Sequence, residues 1–150
     1  MSSNTVSKTV IKRVSSYIRH HRLLEDGDLV IVAVSGGADS LSLLHLLHLV
    51  EMELQLIPVY IDHGLRPYET PAEKQNIQHW CKRLQVPFFT NKIEVIRHST
   101  ETGSSIEESA RLLRYELLEK YRSDQKAQAI AVGHTMDDQA EEFFIRLIRG

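Results

Sequence analysis

The densest chemistry in the chain lies in six consecutive residues, Ser35-Gly36-Gly37-Ala38-Asp39-Ser40. Two adjacent glycines permit positive φ and let a ligand come close to the backbone. Successive N–H groups in such a turn form an anion-binding nest. A helix beginning near Ser40 adds free N–H groups and the positive end of its dipole. The hydroxyls of Ser35 and Ser40 are further donors, so the segment suits a polyphosphate. Asp39 runs against the pattern, because a carboxylate repels phosphate. Two readings account for it: Asp39 holds a Mg²⁺ ion that bridges to phosphates, or it is a stabilising carboxylate at a helix N-terminus. No G-x-x-x-x-G-K-[ST] or G-x-G-x-x-G occurs, which excludes a Walker-type loop and argues against a nicotinamide dehydrogenase. G-x-S-x-G and H-E-x-x-H are also absent.

Three other stretches are rich in reactive side chains: Ile61-Asp62-His63-Gly64-Leu65-Arg66-Pro67, the run from Glu107 to Tyr115 with Arg111 and Arg114, and Gly133-His134-Thr135-Met136-Asp137-Asp138. Arg111 and Arg114 are three apart and project from neighbouring positions on one helical face. They serve either a ligand or surface pairing with Glu107 or Glu108. Asp137 is a ligand-side residue or a helix cap. His45 and His48, also three apart, lie on a leucine-rich segment with no carboxylate or cysteine nearby in sequence, and read as structural.

The elements that must position these residues alternate. Residues 6–22 have the spacing of an amphipathic helix, with Val10, Val14, Tyr17 and Ile18 at helical intervals. Residues 29–34 (LVIVAV) are a β-branched apolar run of the kind buried on both faces of a parallel sheet. A helix over 40–50 follows, then a strand over 55–61, with Pro58 an awkward member because it lacks a ladder donor. Residues 70–85 form a helix with Pro71 in its first turn, residues 86–95 a third strand, and residues 97–104 a polar loop. A helix over 105–122 opens on a capping box, Ser105 with Glu108. Residues 127–132 are a fourth strand and 136–148 a last helix. This alternation predicts an α/β fold, doubly wound, with a mainly parallel sheet. Ligands in such sheets sit beyond the carboxyl ends of the strands, so Ser35, Asp62 and Gly133 are expected to share one edge. The chain divides into an N-terminal helix over 1–27 and a nucleotide-binding domain over 28–150. The stop directly after a helix predicts truncation at the C-terminal end.

The chain's 150 residues are 42% hydrophobic and 25% charged, enough for one domain with its own core. The single cysteine, Cys81, rules out an intrachain disulfide and a multi-cysteine zinc site. No apolar run is long enough to span a membrane, and the N-terminus lacks a signal-peptide pattern. These features predict a cytoplasmic protein with no membrane association. A net charge of −2 makes no global case for nucleic-acid binding. The cations Lys8, Lys12, Arg13, Arg19 and Arg22 nevertheless crowd the first stretch, which taken alone reads as a solvated helix face.

The segment over 35–40 resembles the S-G-G-x-D-S loop of the PP-loop, or N-type ATP pyrophosphatase, superfamily. Members cleave ATP between its α- and β-phosphates and adenylate a substrate. Taken with the IDHGLRP, EESARLLRY and GHTMDDQAE segments and the closing RLIRG, in that order and at that spacing, it resembles the N-terminal catalytic domain of the tRNA(Ile)-lysidine synthetase family, from about residue 28 onward. The resemblance implies a reaction in which ATP adenylates C2 of the wobble cytidine of a tRNA(Ile) with a CAU anticodon, and L-lysine then displaces AMP to form lysidine. It also implies roles. Ser35, Gly36, Gly37, Ala38, Asp39 and Ser40 would hold ATP, with His63 and Arg114 near the nucleotide. Asp39, Arg111, His134 and Asp138 would be catalytic, and Asp39 and Asp137 would hold Mg²⁺. The 2-thiocytidine synthetase branch shares the loop and a G-H-x-x-D-D-like segment but carries C-x-x-C pairs, whereas Cys81 stands alone here. Amidotransferase relatives such as GMP synthetase match the loop but not the later segments. An ATP-binding module without catalysis is the alternative of another class.

Overall fold

The central strand β1 (Leu29–Val34) explains the architecture. Val30, Ile31 and Val32 are fully buried, and alternate residues enter different cores. Val30, Val32 and Val34 join Leu43, Leu44 and Leu47 of α2 (Ala38–Leu49) and Ile77 and Cys81 of α3 (Thr70–Leu84). Ile31 points the other way, into a cluster with Val95 of α4 (Val95–Thr102) and Leu118 of α5 (Ile106–Asp124). A strand with a two-residue side-chain period and apolar residues at every position must be covered on both faces. Each such side chain contributes about 1.5–3 kcal/mol on burial. Helix α1 (Ser2–His20) joins the first cluster through Ile18, with Leu24 just beyond it.

The computed structural model describes residues 2–35, 37–135 and 143–149, with side chains over 8–35 and 37–133. Besides β1, the sheet contains β2 (Gln55–Asp62), β3 (Phe89–Lys92), β4 (Ala129–Thr135) and β5 (Phe143–Arg149), in the order β3-β2-β1-β4-β5. The first four strands run parallel, and β5 pairs antiparallel with β4. The sheet is therefore doubly wound and mainly parallel, with the chain crossing from the β2–β3 side to β4 on the other side of β1. Pro58 pairs in register with Val32 of β1, while the β3 ladder begins only at Val59. Proline thus sits where β2 has a neighbour on one side only, which removes the difficulty posed by its missing donor.

Several elements differ from the sequence expectation. Helix α2 starts at Ala38, two residues early, and takes Asp39 into its first turn. The third strand is four residues long, and the expected loop over 97–104 contains most of α4. Its sequence, VIRHSTET, is short and rich in residues that disfavour helix, but tertiary anchoring decides it. Val95 is buried, Arg97 pairs with Glu101 at 2.7 Å, and Gly103 closes the helix at φ 74°. Of the helix expected over 136–148, residues 136–142 lie outside the described residues, and residues 143–149 form β5 instead. The run FFIRLIR is compatible with either state by periodicity alone, and pairing with β4 decides it. The α5 start agrees fully: Ser105 Oγ accepts from the Glu108 N–H at 3.1 Å, and the Glu108 carboxylate accepts from the Ser105 N–H at 3.0 Å. Among the described residues no helix is long and apolar enough to cross a membrane.

Candidate nucleotide site

The carboxyl ends of β1, β2 and β4 open into one cleft of about 470 Å³. Ser35, Asp62 and Gly133 all line it, as expected of a doubly wound sheet at the point where the strand order reverses.

Its floor is the segment after β1, and Ser40 organises that segment. Ser40 is buried. Its Oγ accepts from the Ser35 N–H at 2.8 Å and contacts Ser35 Oγ at 3.1 Å. The Ser35 and Gly37 carbonyls lie at 3.1 and 3.3 Å, within reach of the same hydroxyl. The Gly37 N–H donates to Ser35 Oγ at 3.3 Å. The sequence reading took Ser35 and Ser40 as equivalent donors to a ligand. In the structure Ser40 braces the turn from inside, while Ser35 is exposed at the cleft. Gly37 has φ −75°, so its backbone does not need glycine, and a Cβ there would lie 3.4 Å from Ser35 Oγ. A Cβ at Gly133 would lie in ordinary van der Waals contact, 3.5 Å from Ser40 Cα and 3.6 Å from the Asp39 carbonyl. The fourth strand thus abuts the first turn of α2.

The wall opposite is built after β2. Asp62 Oδ1 accepts from the Gly64 N–H at 2.8 Å, which bends the chain at φ 68°. This turn sends His63, Leu65 and Arg66 along the cleft. His63 is held below its ordinary pKa of 6.5, first by burial and then by the charge of Arg114, so its imidazole is neutral at neutral pH. Arg114 reaches the cleft from α5. Its guanidinium lies 5.3 Å from the Tyr115 ring centre, and its Nε is buried with no hydrogen-bond partner among the described residues. An unpaired buried N–H costs about 1–3 kcal/mol, a cost that an anionic ligand would remove.

Sequence reasoning missed a third group. Tyr60, Thr70 and Glu73 also line the cleft, and the Tyr60 hydroxyl donates to Glu73 Oε2 at 2.8 Å. Burial and the neighbouring Glu73 carboxylate push the phenol up to about 12. The place of Tyr60, two residues from the end of β2, was the available signal, but nothing in sequence linked it to Glu73 across the turn.

The remaining sequence candidates fall as follows. Ala38 and Asp39 open α2 between the lining residues Gly37 and Ser40 but are not themselves among the lining residues. Arg111 is exposed and is not among the lining residues. His134 lies in β4, opposite Phe144 of β5, with its side chain outside the described residues. Gly36, Asp137 and Asp138 lie outside the described residues altogether. Among the described residues no three His, Cys, Asp or Glu side chains gather as a metal site. Cys81 is buried in the core with its thiol pushed up to about 11 by burial, and His45 packs 5.7 Å from Trp80.

Residues 6–150 match the family of PP-loop domains. Among curated relatives, a tRNA(Ile)-lysidine synthase of Clostridioides difficile is 33% identical over 143 residues, covering 94% of this chain and 31% of that protein. The bifunctional protein TilS/HprT of Listeria monocytogenes is 38% identical, covering 93% of this chain and 22% of that protein. A tRNA(Ile)-lysidine synthase of Geobacillus kaustophilus is 36% identical, covering 94% and 31%. The chain therefore spans less than a third of the length of these relatives. Among solved structures, the U34-tRNA thiolase NcsA of Methanococcus maripaludis, solved with its [4Fe-4S] cluster, superposes with a TM-score of 0.72 at 19% identity, over 89% of this chain and 48% of that one. The NH3-dependent NAD synthetase of Campylobacter jejuni superposes with a TM-score of 0.61 at 13% identity, over 87% and 56%. At these identities the two structures establish a shared fold.

Proposed function

The chain belongs to the PP-loop domain family, and on that premise we propose that it is the ATP-using domain of a tRNA(Ile)-lysidine synthetase. The observation that carries the reading is the cleft itself: a self-braced anion loop on one side and Arg114, with a buried unpartnered N–H, on the other. The names of the relatives supply the substrate class.

In this reading the loop over 35–40 receives the phosphates of ATP, using N–H groups at the start of α2 and the Ser35 hydroxyl. The C2 oxygen of the wobble cytidine attacks the α-phosphorus, the bond to pyrophosphate breaks, and the base becomes adenylated. The ε-amine of L-lysine then attacks C2. The C2–N bond forms, the C2–O bond breaks with the oxygen and its electron pair leaving on AMP, and the attacking nitrogen loses a proton. Negative charge builds on the departing oxygens in the first step. Arg114 supplies fixed positive charge beside the cleft, and His63 beside it stays uncharged at neutral pH. Arg111, His134 and Asp138 complete the proposed catalytic set, and Tyr60 with Glu73 shapes the opposite wall.

The Asp39 carboxylate in the first turn of α2 is a hard oxygen donor of the type Mg²⁺ takes together with phosphate oxygens, and Asp137 is proposed as its companion. When bound, Mg²⁺ would neutralise phosphate charge.

Pyrophosphate release tests the reading, measured on the protein at its natural length with ATP, lysine and an isoleucine tRNA bearing a CAU anticodon. Release is expected with cytidine at the wobble position and not with uridine. Release without tRNA would overturn the reading in favour of a small-molecule ligase.

A further inference from the structure

Charge along this chain is segregated. Five of the 18 Lys and Arg residues and none of the 20 Asp and Glu residues fall within residues 1–24, leaving 13 cations against 20 anions over 25–150. The first segment is strongly basic and the remainder acidic.

Helix α1 sorts the cations further. Its inward stripe consists of Ile11, Val14, Ser15 and Ile18, all buried or half-buried. Lys8, Lys12 and Arg19 are exposed. At 3.6 residues per turn they lie within about 40° of one another on one flank, over about 16 Å of helix. None of the three enters an ion pair among the described residues, and the first 24 residues hold no carboxylate side chain to neutralise them. The flank is held in place. The Glu51 N–H donates to Ser15 Oγ at 3.1 Å, and the Arg19 guanidinium donates to the Glu51 carbonyl while its charge remains. Residues 51–54 lead into the start of β2, so this anchor lies at the amino end of the strand whose carboxyl end forms the cleft, one strand length or about 25 Å away.

We propose that the flank carrying Lys8, Lys12 and Arg19 is a contact for the phosphate backbone of the RNA whose base enters the cleft. The proposal rests on the reading of the cleft as a tRNA-activating site. A row of exposed cations without an ion pair among the described residues, anchored at its Arg19 end away from the cleft, fits contacts that position a polyanion without reading its sequence. An anionic membrane surface is the weaker fit, because an interfacial helix buries a broad apolar face, and here Val14 and Ile18 are spent on the protein core.

The test compares Lys8→Gln/Lys12→Gln with a charge-matched control, Lys82→Gln/Lys120→Gln, on α3 and α5. Binding of labelled tRNA is measured by fluorescence polarisation across a salt series, alongside ATP binding. The α1 variant is expected to bind tRNA roughly tenfold more weakly, with the slope of log affinity against log salt reduced by about 2. The control should stay within about twofold, and ATP binding should be unchanged in both. Equal losses in the two variants, or no loss in either, would overturn the proposal. So would a loss of binding to phosphatidylserine vesicles with tRNA binding intact. Replacing the wobble cytidine by uridine separates this question from the parent reading. It should abolish pyrophosphate release without altering the α1-dependent part of binding. Release indifferent to the wobble base alongside an intact α1 effect would sink the cleft reading and leave an RNA contact for some other reaction, so the two failures are distinguishable.

Discussion

The two loops that form the cleft are built on opposite principles. The segment after β1 is tied to itself through one buried hydroxyl, Ser40 Oγ, with its contacts running inward to Ser35 and Gly37. The segment after β2 is tied down at its two ends, by Asp62 to the Gly64 N–H and by the Thr70 hydroxyl to the Arg66 carbonyl at 2.9 Å. Between those ties its features face solvent. The Arg66–Glu69 ion pair has side chains 70% and 60% exposed, and Tyr68 is 96% exposed. Buried hydrogen bonds resist opening, because breaking one strands a desolvated group. Exposed ion pairs contribute little. The first loop is therefore a preformed cradle, suited to a ligand of fixed shape such as a triphosphate. The second can re-form around a variable partner at small cost.

The largest expected effect separates the loops by chemistry. Asp39→Ala should lower tRNA-dependent pyrophosphate release by on the order of 100-fold or more, with an unchanged circular dichroism spectrum. Normal release from this variant would leave Asp39 as a simple helix N-terminal carboxylate. Arg114→Ala should cost roughly 10- to 100-fold in the same assay, and Arg111→Ala less, because only Arg114 lines the cleft. A larger loss at Arg111 would mean that the reacting state draws α5 differently.

Arg114 also links the cleft to pH. Burial and then Arg114 hold His63 below 6.5, so between the folded value and 6.5 the unfolded chain binds a proton that the folded chain refuses. His63 therefore contributes its full stability above about 6.5 and loses it as pH falls toward the folded value. Arg114→Ala should raise the His63 pKa and narrow that window while burial keeps part of the shift. An NMR titration of His63 that is identical in both proteins would contradict the electrostatic contribution.

Smaller effects bear on the comparison directly. Ser40→Ala removes the acceptor of the Ser35 N–H and should cost about 1–3 kcal/mol in urea unfolding, together with weaker ATP binding. Glu69→Gln, which removes the exposed pair of the second loop, should cost less than about 1 kcal/mol and leave ATP binding unaltered. Equal costs at the two positions would erase the distinction between cradle and adjustable wall.

Residue order alone carried much of this protein. LVIVAV has no polar position to expose, so it had to become a strand covered on both faces. Ser105 with Glu108 satisfies helix N-terminal donors locally, and that helix begins where the pattern says. The loop over 35–40 was legible because its glycines, hydroxyls and strand–helix setting are contiguous. Tertiary structure decided what contiguity cannot express. It turned Ser40 inward as a brace, brought Arg114 into the cleft while leaving Arg111 outside, and joined Tyr60 to Glu73 across a turn. It made a helix of VIRHSTET by burying Val95 and a strand of FFIRLIR by pairing it with β4. Local pattern specifies what a segment prefers, whereas burial, hydrogen-bond partners and the neighbours of a charge exist only once distant segments have met.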